Sequence, residues 1–101
     1  MTSLIPTVNT VTMTSLELVD YINSQRGEGE SELRHDHFMA KVPKVLGEGG
    51  VPKFRDTYTN PQNGQQYAIY RFLKREACLM AMSYSYDLQA KVFDRMTELE
   101  Q

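Results

Sequence analysis

The densest run of chemically capable side chains is Arg34-His35-Asp36-His37, with Lys41 and Lys44 following. These residue types suit nucleic acid. Arg34 can read guanine or hold a phosphate, while Lys41, Lys44, Lys53 and Arg55 reach phosphates. The competing reading is a solvated or protein-contacting helix face with local pairs, such as Glu32 near Arg34. His35, Asp36, His37 and the single cysteine Cys78 also raise a metal centre. A His-x-His pair at i, i+2 does not share a helix face, and no second Cys/His pair at zinc spacing follows. No metal or other cofactor is therefore expected. Cys78 lies among Ala77, Leu79 and Met80, the setting of a buried, inert thiol rather than a nucleophile. Ser83 and Ser85 have no histidine beside them and read as helix caps. GxGxxG, P-loop and nucleophile-elbow patterns are missing. An enzyme is not expected.

The elements that must carry these side chains fit one domain. The chain has 101 residues, 41% apolar and 24% charged, ordinary values for a globular protein. Eleven bases against 13 acids give a net charge of −2, which argues against a protein held together by polyanion binding. The local balance differs: residues 31–55 hold five bases and three acids, so any basic surface must lie there. Six methionines either fill core gaps or adapt to a protein partner. No apolar run reaches the ~18 residues of a membrane span. Residues 1–12 read as a flexible leader, with a short strand at Val8–Thr12 and no secretory signal. Residues 13–101 form the single domain. One cysteine, unable to pair within the chain, fits a reducing cytoplasm.

Thr14 and Glu17 stand at capping-box spacing, and Leu16, Val19 and Ile22 predict a first helix over Ser15–Gln25. Arg26–Glu32, with two glycines and three glutamates, is a loop and the best site for a flexible insertion. Leu33, Phe38, Val42 and Val45 predict a second helix over Arg34–Leu46. Pro43 should divide it, ending one segment near Val42 and opening another, before Gly47 stops the run. Lys53–Thr59 and Gln66–Phe72 alternate around Asn63-Gly64, which predicts a β-hairpin. Phe54 and Tyr58 should share one face of its first strand, and Ala68, Tyr70 and Phe72 one face of its second. Lys74–Ser83 reads as a mostly buried helix. Ser85 then caps a last helix over Tyr86–Glu100, whose stripe Leu88, Val92, Met96 and Leu99, with Phe93 beside it, predicts an oligomer interface. The alternative is that this stripe packs within the domain. The fold class is α+β: a small winged-helix-like domain of two helices, a β-hairpin and two C-terminal helices.

Several of these segments resemble, in order, the Rha-type regulatory proteins of temperate phages. Glu32 to Met39 is similar to their Arg-His-Asp-x-hydrophobic signature, and Met13 to Leu18 to the opening of their first helix. Tyr70 to Ala77, Met82 to Ser85 and Leu88 to Met96 resemble their strand-to-helix passage, Tyr-Ser link and closing helix. The resemblance covers about residues 13–100. It implies a phage or prophage protein acting on lysogeny control in the cytoplasm of a bacterial host, often as a regulator or antirepressor. The acidic loop Arg26–Glu32 departs from the family's tighter turn.

Two functions follow. As an antirepressor, the protein binds a phage repressor and keeps it from its operator, inducing lytic genes. As a winged-helix regulator, it contacts operator DNA itself through the second helix and hairpin. Arg34, His35, His37, Lys41, Lys44, Lys53 and Arg55 are the candidate contacts in both cases. Leu88, Val92, Phe93, Met96 and Leu99 are the candidate contacts of a homo-oligomer. Neither function calls for a membrane or a small-molecule substrate.

Overall fold

The computed structural model describes residues 11–100. The leader thus lies outside the described residues up to Thr10. Of the strand expected at Val8–Thr12 only Val11 and Thr12 are described, and they carry no regular structure; the first strand among the described residues is β1, Met13–Thr14. It is followed by α1 (Ser15–Ser24), α2 (His35–Leu46), a 3-10 turn (Val51–Phe54), β2 (Arg55–Thr59), β3 (Gln66–Phe72), α3 (Lys74–Met82) and α4 (Tyr86–Leu99). The strands form one antiparallel sheet in the order β1-β3-β2. This is the expected α+β, winged-helix-like arrangement.

Thr14 ends β1 and caps α1 at once. Its hydroxyl accepts the Glu17 N–H at 3.1 Å, and Glu17 Oε1 accepts the Thr14 N–H at 2.8 Å. Two orphan donors are satisfied reciprocally. The inward row of α1 is Ser15, Leu18, Val19 and Ile22, all buried. Leu16, expected inside, is half-buried at the rim of a cleft.

The loop after α1 is held at both ends by one side chain. Asn23 Nδ2 donates to the Leu33 carbonyl at 3.0 Å, and Asn23 Oδ1 accepts the Leu33 N–H at 2.7 Å. The chain therefore enters α2 from a fixed point, whatever lies between.

Pro43 does not divide α2, which runs unbroken from His35 to Leu46. The donor that proline lacks would have served the Met39 carbonyl, a single bond near the helix end. A break would also disturb Phe38 and Val42, both without exposed surface. A local cost of ~3 kcal/mol is offset by keeping that apolar face buried. Gly47, at φ +84°, then closes the last turn with its N–H on the Pro43 carbonyl at 3.0 Å.

The hairpin starts two residues late. Pro52 favours a tight turn, so Lys53 and Phe54 belong to the 3-10 segment and Phe54 shares no strand face with Tyr58. Phe54 instead packs on Phe72, with ring centroids 6.4 Å apart. Pairing runs from Arg55↔Tyr70 to Thr59↔Gln66, so Tyr58 lies across from Tyr67. Asn63-Gly64 sits in a longer loop than a two-residue turn. That loop is closed by the Asn60 N–H on the Gln65 carbonyl at 2.9 Å, with Gly64 at φ +71°. Ala68, Tyr70 and Phe72 share one face of β3 by alternation; Tyr70 and Phe72 are buried there and Ala68 is exposed.

The core joins all layers: Leu18, Val19 and Ile22 from α1, Phe38 and Val42 from α2, Tyr70 and Phe72 from β3, Ala77, Met80 and Ala81 from α3, Val92 and Met96 from α4. Phe38 is its hub. Its ring meets Phe72 edge-on at 6.2 Å and stacks on Tyr84 at 6.3 Å.

Of the stripe expected to form an oligomer interface, Val92 and Met96 have no exposed surface, and Leu88 is partly buried against the core. These three are packing residues of the domain, because α4 lies on α3 and its inward row needs cover from its own chain. Phe93 (50% exposed) and Leu99 (46%) remain available to a partner.

Candidate functional site

α2 carries three kinds of surface. At about 100° per residue, Met39 and Lys41 fall on opposite flanks of the helix. Asp36, His37, Ala40 and Lys44 form the exposed ridge between them.

On one flank, Lys41 is committed within the chain. Its Nζ donates to the Ser83 carbonyl at 3.0 Å and sits 3.6 Å from the centre of the Tyr84 ring. Burial there pushes its pKa below the ordinary lysine value. Lys41 is thus turned away from the ridge, because the cation–π and carbonyl contacts offer it a better place than water. Lys41, named with Lys44 as a phosphate or partner contact, points to the α3–α4 link while Lys44 stands on the exposed ridge. Lys41→Ala should lower stability by about 1 kcal/mol, as a shifted urea midpoint. A midpoint equal to wild type would leave this contact without energetic weight.

On the other flank, His35 meets the sheet. Its Nε2 is 2.9 Å from Ser15 Oγ, which accepts the Tyr70 N–H at 3.1 Å. β1 ends at Thr14↔Arg71, so the Ser15 hydroxyl takes over from the backbone as the next acceptor along β3. With that bond made, the hydroxyl proton is free to point at a neutral imidazole. Burial pushes the His35 pKa down, while Asp36 and Asp20 pull it up by a smaller amount. The sign follows. The unfolded chain binds the proton more readily, so stability is present above the ordinary imidazole value of about 6.5 and is lost as pH falls below it. Urea midpoints measured from about pH 8 to about pH 5 should fall more for wild type than for His35→Gln. Equal slopes would overturn the assignment.

Beside His35 a cleft of about 570 Å³ opens between α2 and the hairpin. Leu16, Met39, Tyr58, Tyr67, Ala68 and Ile69 line it together with His35, Asp36 and Asn60. It continues along β2 past Arg55, Asp56 and Thr57. Asp56 accepts from Arg71 Nε at 2.7 Å and from the Thr57 N–H at 2.8 Å. These bonds, the one from Arg71 foremost, hold its carboxyl below the usual carboxylate range. The aromatic pair Tyr58 and Tyr67 remains 39% and 43% exposed. From Thr57 to Ala68 the wing carries no charged side chain.

The structure therefore places His35 in the cleft and Arg55 in the adjoining hollow along β2, which shares Met39, Ala68 and Ile69 with it, and scatters the other candidates. Arg34 is exposed at the α2 entrance and pairs with Asp36 at 2.9 Å, an exposed contact worth ~0–1 kcal/mol. His37, Lys44 and Lys53 are exposed elsewhere. Leu16, Met39, Tyr58 and Tyr67 are cleft residues that the basic pattern did not single out. Ser15 was missed as well, although a serine on the apolar row of α1 is a signal for a buried polar partner. Among the described residues, no group of three or more His, Cys, Asp or Glu is placed to hold a metal ion. No described helix is long and apolar enough to cross a membrane.

No protein-family model matches the sequence, and no curated protein or solved structure matches it either.

Proposed function

We propose that this chain is a phage antirepressor: a binding protein, without catalytic chemistry, that occupies a phage repressor and keeps it off its operator. The observation that carries this reading is the cleft beneath Tyr58 and Tyr67. Its walls are mainly aromatic and aliphatic, and the wing tip above it is uncharged. Tyrosine and methionine supply adaptable apolar contact of the kind that dominates protein–protein hot spots. A phosphate backbone instead calls for a run of cations, and here Lys41 is engaged by Ser83 and Tyr84 and faces away from Lys44. The resemblance to Rha-type regulators supplies the partner class. Binding need only favour the free repressor over its DNA-bound form to empty the operator.

The test is a titration of a labelled operator fragment loaded with the phage repressor. Adding this protein should release the repressor, and Met39→Glu or Tyr58→Ala should weaken release by ~10-fold or more while the circular dichroism spectrum stays native. The DNA-reading alternative rests on the exposed Lys44, Lys53 and Arg55. It would win if the protein alone bound the fragment with steep salt dependence, and Lys44→Ala flattened that slope by about one unit.

A further inference from the structure

The outer face of the C-terminal helix pair carries exposed apolar side chains that the cleft does not use. Tyr86, Ala90, Phe93 and Thr97 follow one another at i, i+4, i+7 and i+11 along α4 and fall within about 60° of one another. Tyr86 is 79% exposed and Phe93 50%. Ala90 stands in the middle, where a small side chain lets another backbone come close.

Each border of this ridge offers one exposed charge to a neighbour, Asp94 on one and Arg75 on the other, while Lys91 and Glu100 compensate Asp87 and Lys74. Asp87 and Asp94 run along one of them. Asp87 pairs with Lys91 at 3.0 Å, whereas Asp94 has no ion pair among the described residues. Along the other border lies a groove of about 500 Å³ between α3 and α4, lined by Lys74, Arg75, Cys78, Leu79, Gln89 and Phe93. Lys74 is held there by Glu100 at 2.9 Å and by the Phe93 ring at 4.0 Å. The Arg75 side chain is 78% exposed, although one of its nitrogens reaches Glu76 at 2.7 Å.

We propose that this face is a two-fold self-association surface, occupied by a second copy of the chain with its α4 parallel to the first. The charge pattern selects the orientation. A two-fold axis lying across α4 would set Asp94 border on Asp94 border. An axis running along α4 sets the Asp94 border of each copy on the Arg75 border of the other. It also preserves height along the helix. Lys74 contacts Thr97 and Phe93, so Arg75 stands near the level of Asp94. Asp94 of one copy therefore meets Arg75 of the other, at both ends of the operation. The Tyr86–Ala90–Phe93 ridges meet at the axis, with each Phe93 beside the partner's groove.

Sedimentation equilibrium of the purified chain tests this without any repressor, so its outcome is separate from that of the antirepressor reading. Wild type should sediment at twice the monomer mass of 11.6 kDa. Phe93→Glu, on an exposed position, should raise the dimer dissociation constant by ~100-fold while the circular dichroism spectrum stays native. Asp94→Arg should raise it by ~10-fold, and Asp94→Arg combined with Arg75→Asp should restore it. Tyr86→Cys should cross-link to its own counterpart on oxidation, as the parallel orientation requires. A monomer at every concentration, a dimer indifferent to Phe93→Glu, or one indifferent to Asp94→Arg would overturn the proposal.

Discussion

Phe38→Ala should remove about 3–5 kcal/mol of stability and lower Tm by ~15 °C or more. The side chain has no exposed surface and touches both sides of the domain. Through Phe72 it joins α2 to the sheet, and through Tyr84 it joins α2 to the link between α3 and α4. Tyr84 in turn receives Lys41. Truncation empties a space that three separate elements would have to close, and each is anchored elsewhere. That is the condition under which a cavity relaxes least and costs most. Urea denaturation read by circular dichroism gives the value directly. A loss under about 1 kcal/mol would mean that the site collapses and that Phe38 is not the hub.

Val92→Glu should leave no folded protein at ambient temperature, while Phe93→Glu next to it should still fold. Val92 faces the core with no exposed surface, and no cation stands among the core residues to pair with a carboxylate there. An unpaired buried charge costs several kcal/mol, about the whole stability of a domain this small. Phe93 points outward, so its replacement forfeits the cation–π contact with Lys74 and the proposed contact with a second copy but buries no charge in the core. Loss of the near-ultraviolet signal in the first variant and its retention in the second would confirm the contrast. A folded Val92→Glu protein would place the inward row of α4 elsewhere.

The pattern of apolar residues carried most of the fold. The Thr14/Glu17 capping box, the Ser85 cap and the order of four helices around a hairpin were all legible, because each rests on interactions within a few residues. Pro43 was misread, since its local cost is outweighed by the burial of Phe38 and Val42, which involves partners far along the chain. The start of the hairpin was misread for the opposite reason: Pro52 imposes a local turn that strand alternation does not reveal. The candidate site was less legible. Lys41 belongs by sequence to a basic row, but its fate depends on Tyr84, 43 residues away by subtraction of their numbers. The cleft residues Met39, Tyr58 and Tyr67 come from separate elements and gain meaning only once the hairpin folds over α2. On α4, spacing alone could not say which of two adjacent apolar positions, Val92 or Phe93, looks inward.

The Asn23 clasp has a consequence for how such a protein can change over generations. Both hydrogen bonds go to the backbone of Leu33, so they do not depend on which side chain stands there, and they set the start of α2 independently of the residues between. The acidic stretch from Arg26 to Glu32 is thereby released from any duty to aim the helix. It can lengthen, shorten or reverse its charge by drift while His35, Met39 and the cleft inherit the same geometry. Lineages facing different partners would then diversify this loop first, and Asn23 would be the residue they keep.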